Sequence, residues 1–356
     1  MRSLSRLAPL TLTLALAALS PLAHAGPLRD LIKERMQERQ QNSDATGTDA
    51  ADPEGLSELG GQGQSESCEQ WARKVNRLEK FSRARHPGPT PTLADLAYGS
   101  LPLEKLDIYQ PARANAAQAA PIVVMVHGGG WCVGDKQSTG VTENKVARWL
   151  PKGLMFVSVN YPMVSDGANA LQQANHVARA IAYVQAHARE WGGDPSKVVL
   201  MGHSAGAHLV SLVNADAQIR QTNGVQPVLG TVSLDAGAMD VVKEMPAVYP
   251  FLKQRYLEAF GNAEAQWVTA SPYHRLSQGA GPWLGVCSTQ RKDDPCSQAR
   301  AYADKSQKLG IRAAVLPQKK NHGAINKDLG DDPRYTQAVE DFMATLDPSL
   351  ATLLHR

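Results

Sequence analysis

The sequence predicts an α/β fold: a mostly parallel central sheet with helices on both faces. Three observations predict it. Seven strand-like runs alternate with helical patterns from Thr92 onward. Several of those runs are continuously apolar, as expected of strands covered on both sides. One of them, Lys197-Val198-Val199-Leu200-Met201, runs into a tight Gly202-His203-Ser204-Ala205-Gly206 turn followed by a helix-like stretch, Ala207 to Val213.

The strand-like runs are Leu103–Tyr109, Ile122–His127, Met155–Tyr161, Val198–Gly202, Gly230–Leu234, Trp283–Ser288 and Ile311–Leu316. Helical spacing joins Leu171, Ala174, Ala178, Ile181 and Val184, and again Tyr335, Ala338, Val339, Phe342, Met343 and Leu346. Asp235 to Ser271 is long, strand-poor and rich in aromatics; its two readings are a small cap over the site and a helical insertion. There is no internal repeat.

The N-terminal quarter reads differently. Arg2 and Arg6 form a basic start, Leu7 to Leu22 is apolar but broken by Pro9 and Pro21, and Ala23-His24-Ala25 fits a cleavage site. Residues 1–25 are therefore expected to be a signal peptide, cleaved near Ala25, and the chain to be exported to the periplasm or the medium. The run is short for a bilayer span of ~20 residues, so no stable membrane insertion is expected. Residues 26–85 are expected to be a low-complexity linker with a short docking helix from Cys68 to about Arg85, because Asn42 to Ser67 holds almost no large apolar residues with which to offset ordering entropy. Residues 86–356 form the folded domain.

Of 356 residues, 43% are hydrophobic and 20% charged, which suits a sizeable core. The net charge is +3, and Arg2 and Arg6 lie in the leader, leaving about +1. That balance argues against nucleic acid as a partner. Four cysteines in an exported chain suggest two disulfides. Cys287 and Cys296, closest in sequence, are expected to pair, leaving Cys68 with Cys132.

The chemistry-bearing residues are the Gly-x-Ser-x-Gly turn and, upstream, His127-Gly128-Gly129-Gly130-Trp131 after an apolar strand. Consecutive glycines leave main-chain N–H groups unshielded, which is what a developing oxyanion needs. The amides of Gly129, Gly130 and Ala205 are the expected donors. A serine hydroxyl needs a base held by a carboxylate. His322, in the loop after the last apolar strand, is the candidate base, with His274 its main competitor. Asp294, in the loop after Trp283–Ser288, is the candidate acid, with Asp293 adjacent to it. Trp131 either lines an acyl pocket or packs in the core, and His127 is expected to steady the glycine loop.

In their order along the chain, Leu106-Asp107-Ile108-Tyr109, His127–Trp131, Val159-Asn160-Tyr161, Gly192-Gly193-Asp194-Pro195, Gly202–Gly206, Ser271-Pro272 and the Asp294 and His322 loops resemble the His-Gly-Gly-Gly branch of the α/β-hydrolase superfamily, the hormone-sensitive-lipase-like esterases and lipases. The resemblance runs from about Ala94 to Leu346. It implies the α/β-hydrolase fold and hydrolysis of a small-molecule carboxylic ester, commonly a short acyl or aryl ester, by Ser204, Asp294 and His322 through an acyl-enzyme, with no metal or cofactor. The segment Asn321–Asn326 also resembles kynurenine-formamidase-like members, which cleave an N-formyl amide. The same triad would serve an amidase or peptidase, and a non-catalytic binding protein on this fold is the reading from a different class. The chain departs from the family on the helix before the elbow strand, where many relatives carry an acid and this chain reads Gln173-Ala174-Asn175-His176, at Met163–Asp166, and at Cys287-Ser288, which replaces a common His-Gly ahead of the acid loop.

Overall fold

A computed structural model describes residues 65–85, 87–112 and 119–355. The expected signal peptide and residues 26–64 of the expected linker lie outside the described residues. Eight strands form one sheet: β1 Leu93–Ala97, β2 Lys105–Tyr109, β3 Ala120–Val126, β4 Met155–Val159, β5 Gly193–His203, β6 Gly230–Leu234, β7 Trp283–Ser288 and β8 Ala313–Gln318. Their spatial order is β1-β2-β4-β3-β5-β6-β7-β8. β1 and β2 are antiparallel to their neighbours, and the six strands from β4 to β8 run parallel. All seven predicted strands form. β1 was not predicted: it is short, lies at the sheet edge and has mostly exposed side chains, so it carries no apolar run.

The helices are α1 Cys68–Arg85, α2 Thr139–Trp149, α3 Ala170–His187, α4 Ala205–Ala215, α5 Ala217–Thr222, α6 Val241–Ala247, α7 Lys253–Phe260, α8 Glu264–Ala270, α9 Pro272–Arg275, α10 Pro295–Lys308, α11 His322–Lys327, α12 Pro333–Ala344 and α13 Pro348–Leu354. Among the described residues no helix is long and apolar enough to cross a membrane. Strand side chains alternate between faces, and both faces are covered. Ile122, Val124 and Val126 of β3 join a core with Ala174, Ile181 and Val184 of α3 and Leu209 of α4. Val123 and Met125 of the same strand pack on the other face with Trp149 of α2 and Tyr335, Val339 and Met343 of α12. This two-sided burial explains why the parallel strands read as unbroken apolar runs.

Both expected disulfides form, Cys68–Cys132 and Cys287–Cys296. The first ties α1 to the residue after Trp131. α1 also buries Trp71 and Val75 against Cys132 and Val133. The Arg255 guanidinium of α7 lies 4.4 Å over the Trp71 ring, and the Cys68 amide donates to Glu258 Oε2 at 2.8 Å. The Asp235–Ser271 segment is helical. Its Tyr256 and Phe260 pack against Trp131 with ring centroids 5.1 and 4.6 Å apart, so α7 backs the glycine loop.

Candidate active site

The site is built where β5, β6 and β8 end on the same edge of the sheet. Ser204 sits between β5 and α4 with φ 54° and ψ −118°, in a region a non-glycine residue seldom occupies. The turn is tight enough to exclude side chains at its flanks. A Cβ on Gly202 would lie 2.4 Å from the Gly206 carbonyl oxygen, and one on Gly206 would lie 2.2 Å from that of Val126. The Ser204 amide donates to the Leu234 carbonyl at 2.9 Å, stitching the elbow to the end of β6.

His322 opens α11, beyond β8. Its Nε2 lies 2.9 Å from Ser204 Oγ. Its backbone carbonyl accepts from His203 Nε2 at 3.0 Å, and the two rings lie 4.6 Å apart. Asn321 precedes it as the helix cap, its side chain accepting from the Ala324 amide at 2.7 Å. The helix start is thus fixed independently of the serine, which sets the direction of the imidazole.

The carboxylate on the far side of His322 is Asp235, not Asp294. Asp235 Oδ2 lies 2.6 Å from His322 Nδ1, and the side chain is fully buried. Asp235 is the first residue after β6, held at φ 53°, and its amide donates to the Val286 carbonyl at 2.8 Å. Its Oδ1 accepts from the Ser288 amide at 2.7 Å, and Oδ2 also accepts from Arg291 Nη1 at 3.1 Å. Burial alone would raise the Asp235 carboxyl. The Arg291 charge, the His322 hydrogen bond and the Ser288 amide outweigh it and hold the group well below the usual carboxylate range.

This corrects the expected site, and the reason is local. Asp294 takes a left-handed conformation just before Pro295 and caps α10, its Oδ1 accepting from the Ser297 amide at 3.2 Å. Asp293 is engaged in a two-pronged pair with Arg291 through Nη2 and through Nε at 3.1 Å. Neither carboxylate reaches the imidazole. The competing base, His274, pairs with Asp240 at 3.1 Å. The sequence did carry a signal for Asp235: a carboxylate at the C-terminal end of the strand next to the one that leads into Ser204, in the crevice position that ligands favour in such sheets.

The glycine loop is anchored from several sides. The amides of Cys132 and Val133 donate to the Gly129 carbonyl at 3.1 and 3.2 Å, and nothing lies within 4 Å of where a Cβ on Gly130 would sit. Tyr161 Oη donates to the His127 carbonyl at 2.9 Å, and its ring stacks on His127. His127 Nδ1 lies 2.8 Å from the Gly128 oxygen. Gln173 is fully buried and donates from Nε2 to the carbonyls of Trp131 and Ala168 at 2.9 and 2.7 Å. Trp131 is buried and packs in the core; its Nε1 donates to His208 Nδ1 at 3.2 Å, and His208 Nε2 donates to the Ala270 carbonyl at 2.7 Å. Burial lowers the His208 imidazole to about 4 against the raising effect of that carbonyl, so it is neutral, as both hydrogen bonds require. Ala205, the first residue of α4, has an amide with no intrahelical acceptor.

Residues 106–245 match the BD-FAE family model. The chain is 26% identical over 257 residues to the probable carboxylic ester hydrolase LipM of Mycobacterium tuberculosis, covering 65% of this chain and 58% of that protein. It is 26% identical over 287 residues to the esterase LipQ of the same organism, covering 73% and 65%. It therefore spans about three fifths of the length of these curated relatives. Among solved structures, the apo form of Thermogutta terrifontis esterase 2 aligns at TM-score 0.61 and 22% identity, over 74% of this chain and 97% of that one. Esterase B from Lactobacillus Rhamnosis aligns at TM-score 0.60 and 18% identity, over 78% and 95%. These two likenesses establish the fold. With its sheet order and its elbow, the chain has the α/β-hydrolase fold, and it is similar to carboxylic ester hydrolases and esterases.

Proposed function

We propose that this protein is a serine hydrolase of carboxylic esters with short acyl or aryl groups, working through Ser204, His322 and Asp235. The observation that carries the reading is the unbroken line from Ser204 Oγ to His322 Nε2 at 2.9 Å and from His322 Nδ1 to Asp235 Oδ2 at 2.6 Å. The esterase names of its relatives support the reaction class.

Ser204 Oγ attacks the ester carbonyl as His322 Nε2 takes its proton. Asp235 keeps the Nδ1–H tautomer and stabilises the imidazolium. The oxyanion rests on the amides of Gly129, Gly130 and Ala205, each such donor worth ~3 kcal/mol of barrier. His322 then protonates the leaving alkoxide, and an acyl-enzyme remains on Ser204. Water, deprotonated by the same imidazole, attacks the acyl carbon and releases the acid. The pair of disulfides is compatible with an exported protein, and export after cleavage near Ala25 belongs to this proposal.

The test is hydrolysis of p-nitrophenyl acetate and butyrate, with fluorophosphonate labelling read by intact mass. Wild type turns over and gains one label. Ser204→Ala loses both. Turnover by Ser204→Ala equal to wild type would end the reading.

A further inference from the structure

The loop after β7 was expected to supply the acid; it supplies a cation instead. Arg291 reaches from that loop to Asp235, with Nη1 3.1 Å from Oδ2 and 3.2 Å from the Asp235 carbonyl oxygen. The same nitrogen lies 3.3 Å from His322 Nδ1. The other edge of the guanidinium is gripped by Asp293. The Arg291 side chain is 17% exposed and Asp235 fully buried, so neither charge is well solvated. The loop itself is closed by the Cys287–Cys296 disulfide and pinned by Ser288, whose Oγ donates to the Lys320 carbonyl at 2.7 Å and accepts from the amides of Gln290 and Arg291.

We propose that Arg291 is a positioning residue for this reaction: it holds the Asp235 carboxylate on His322 and opposes protonation of the resting base, while Asp293 holds Arg291. The proposal rests on the reading of Ser204, His322 and Asp235 given above. A carboxylate that accepts from His322, the Ser288 amide and Arg291 Nη1 is held against rotation of its Oδ2 away from Nδ1. A guanidinium within hydrogen-bond range of an imidazole makes the imidazolium costlier. A second carboxylate behind the guanidinium moderates that cost. The groups facing this pair are Ser204 before α4, His203 at the end of β5, Asp235 after β6, Asp293 on the loop of Arg291, Glu244 on α6 and Tyr256 on α7, with Tyr335 of α12 within electrostatic reach of Asp235.

Opposite shifts distinguish this role from a structural one. The experiment measures pH profiles of kcat/KM and kcat on p-nitrophenyl butyrate for wild type, Arg291→Met, Arg291→Lys and Asp293→Asn, with circular dichroism as the check on folding. Removing the cation in Arg291→Met moves the acid limb of kcat/KM up by about one pH unit and lowers kcat about tenfold or more. Arg291→Lys keeps the charge but not the fork, so the limb stays near wild type while kcat is only partly restored. Asp293→Asn leaves Arg291 with Asp235 as its remaining carboxylate partner among the described residues and moves the limb down. Should Arg291→Met not fold, the downward shift in Asp293→Asn and the unmoved limb of Arg291→Lys carry the test. Limbs that coincide with wild type in every folded variant overturn the role of Arg291. A wild type that turns over while Ser204→Ala does not shows that the triad reading survives that failure; equal turnover by both means the triad reading itself has failed.

Discussion

Asp235 Oδ2 and His322 Nδ1 lie 2.6 Å apart although 87 residues separate them in the chain. The sheet brings them together. β6 lies beside β5, with His203 opposite Leu234, so the residue after β6 emerges level with Ser204. His322 comes down onto the same edge from beyond β8. Asp235 is bonded at its amide, at both carboxylate oxygens and at its carbonyl, and this network holds it in a backbone conformation that costs ~1 kcal/mol or more for a non-glycine residue.

Gly206→Ala puts a methyl group 2.2 Å from the Val126 carbonyl oxygen. Either β3 or α4 must shift, and both carry the site. The expected cost is roughly 1–3 kcal/mol in urea unfolding, with a larger loss of esterase activity than of stability, because Ser204 moves with the elbow. Wild-type activity in this variant would mean that the elbow is looser than described.

Two buried groups give pH dependences of opposite sign that offset each other where their windows overlap. Burial and the nearby Asp293 charge push Glu244 up to about 7. In the folded state it therefore keeps its proton above the ordinary 4.5, and its contribution to stability falls as pH rises from 4.5 to about 7. His208 is lowered from 6.5 to about 4. There the unfolded chain binds the extra proton, so stability rises with pH between about 4 and 6.5. Glu244→Gln unmasks the rise and His208→Gln unmasks the fall, each on the order of 2–3 kcal/mol across its window. Unfolding free energies from pH 4 to 7.5 check both signs. Parallel curves for the two variants would contradict them.

The disulfides differ in what they tie. Cys68–Cys132 closes a separation of 64 residues and Cys287–Cys296 one of 9. Loop entropy makes the first worth about 4 kcal/mol and the second about 2.5 kcal/mol. Cys68→Ser with Cys132→Ser lowers Tm more than Cys287→Ser with Cys296→Ser. The second pair instead has the larger effect on kcat, since it frees the loop of Arg291. Thermal melts and initial rates on the double variants read the two effects separately.

Much of the architecture is legible in the sequence because buried parallel strands must be apolar on both faces: β3, β4, β6, β7 and the second half of β5 are buried throughout and show as runs such as Ile122–Val126 and Trp283–Ser288. β1 is illegible because an exposed edge strand needs no such run. Ser204, the glycine loop and His322 announce themselves through glycine clusters and chain order. Asp235 does not. It is one aspartate at the junction of a strand and a long insertion, whereas Asp293 and Asp294 stand together on a loop in the expected place. What separates them is three-dimensional: Pro295 commits Asp294 to capping α10, Arg291 claims Asp293, and only the pairing of β5 with β6 brings Asp235 level with the serine. Gln173 is similar. The absence of an acid from Gln173-Ala174-Asn175-His176 is visible, but the hold of Gln173 on the Trp131 carbonyl is not.

The kcat values of Asp235→Asn and Asp294→Asn, measured side by side on p-nitrophenyl butyrate, test the central claim most directly. Replacing the carboxylate on His322 removes the tautomer control and the imidazolium partner, so Asp235→Asn loses on the order of 10³–10⁴ in kcat. Asp294→Asn keeps a side chain that caps α10 and stays within about threefold of wild type. A large loss in Asp294→Asn with near-normal turnover in Asp235→Asn would contradict the account.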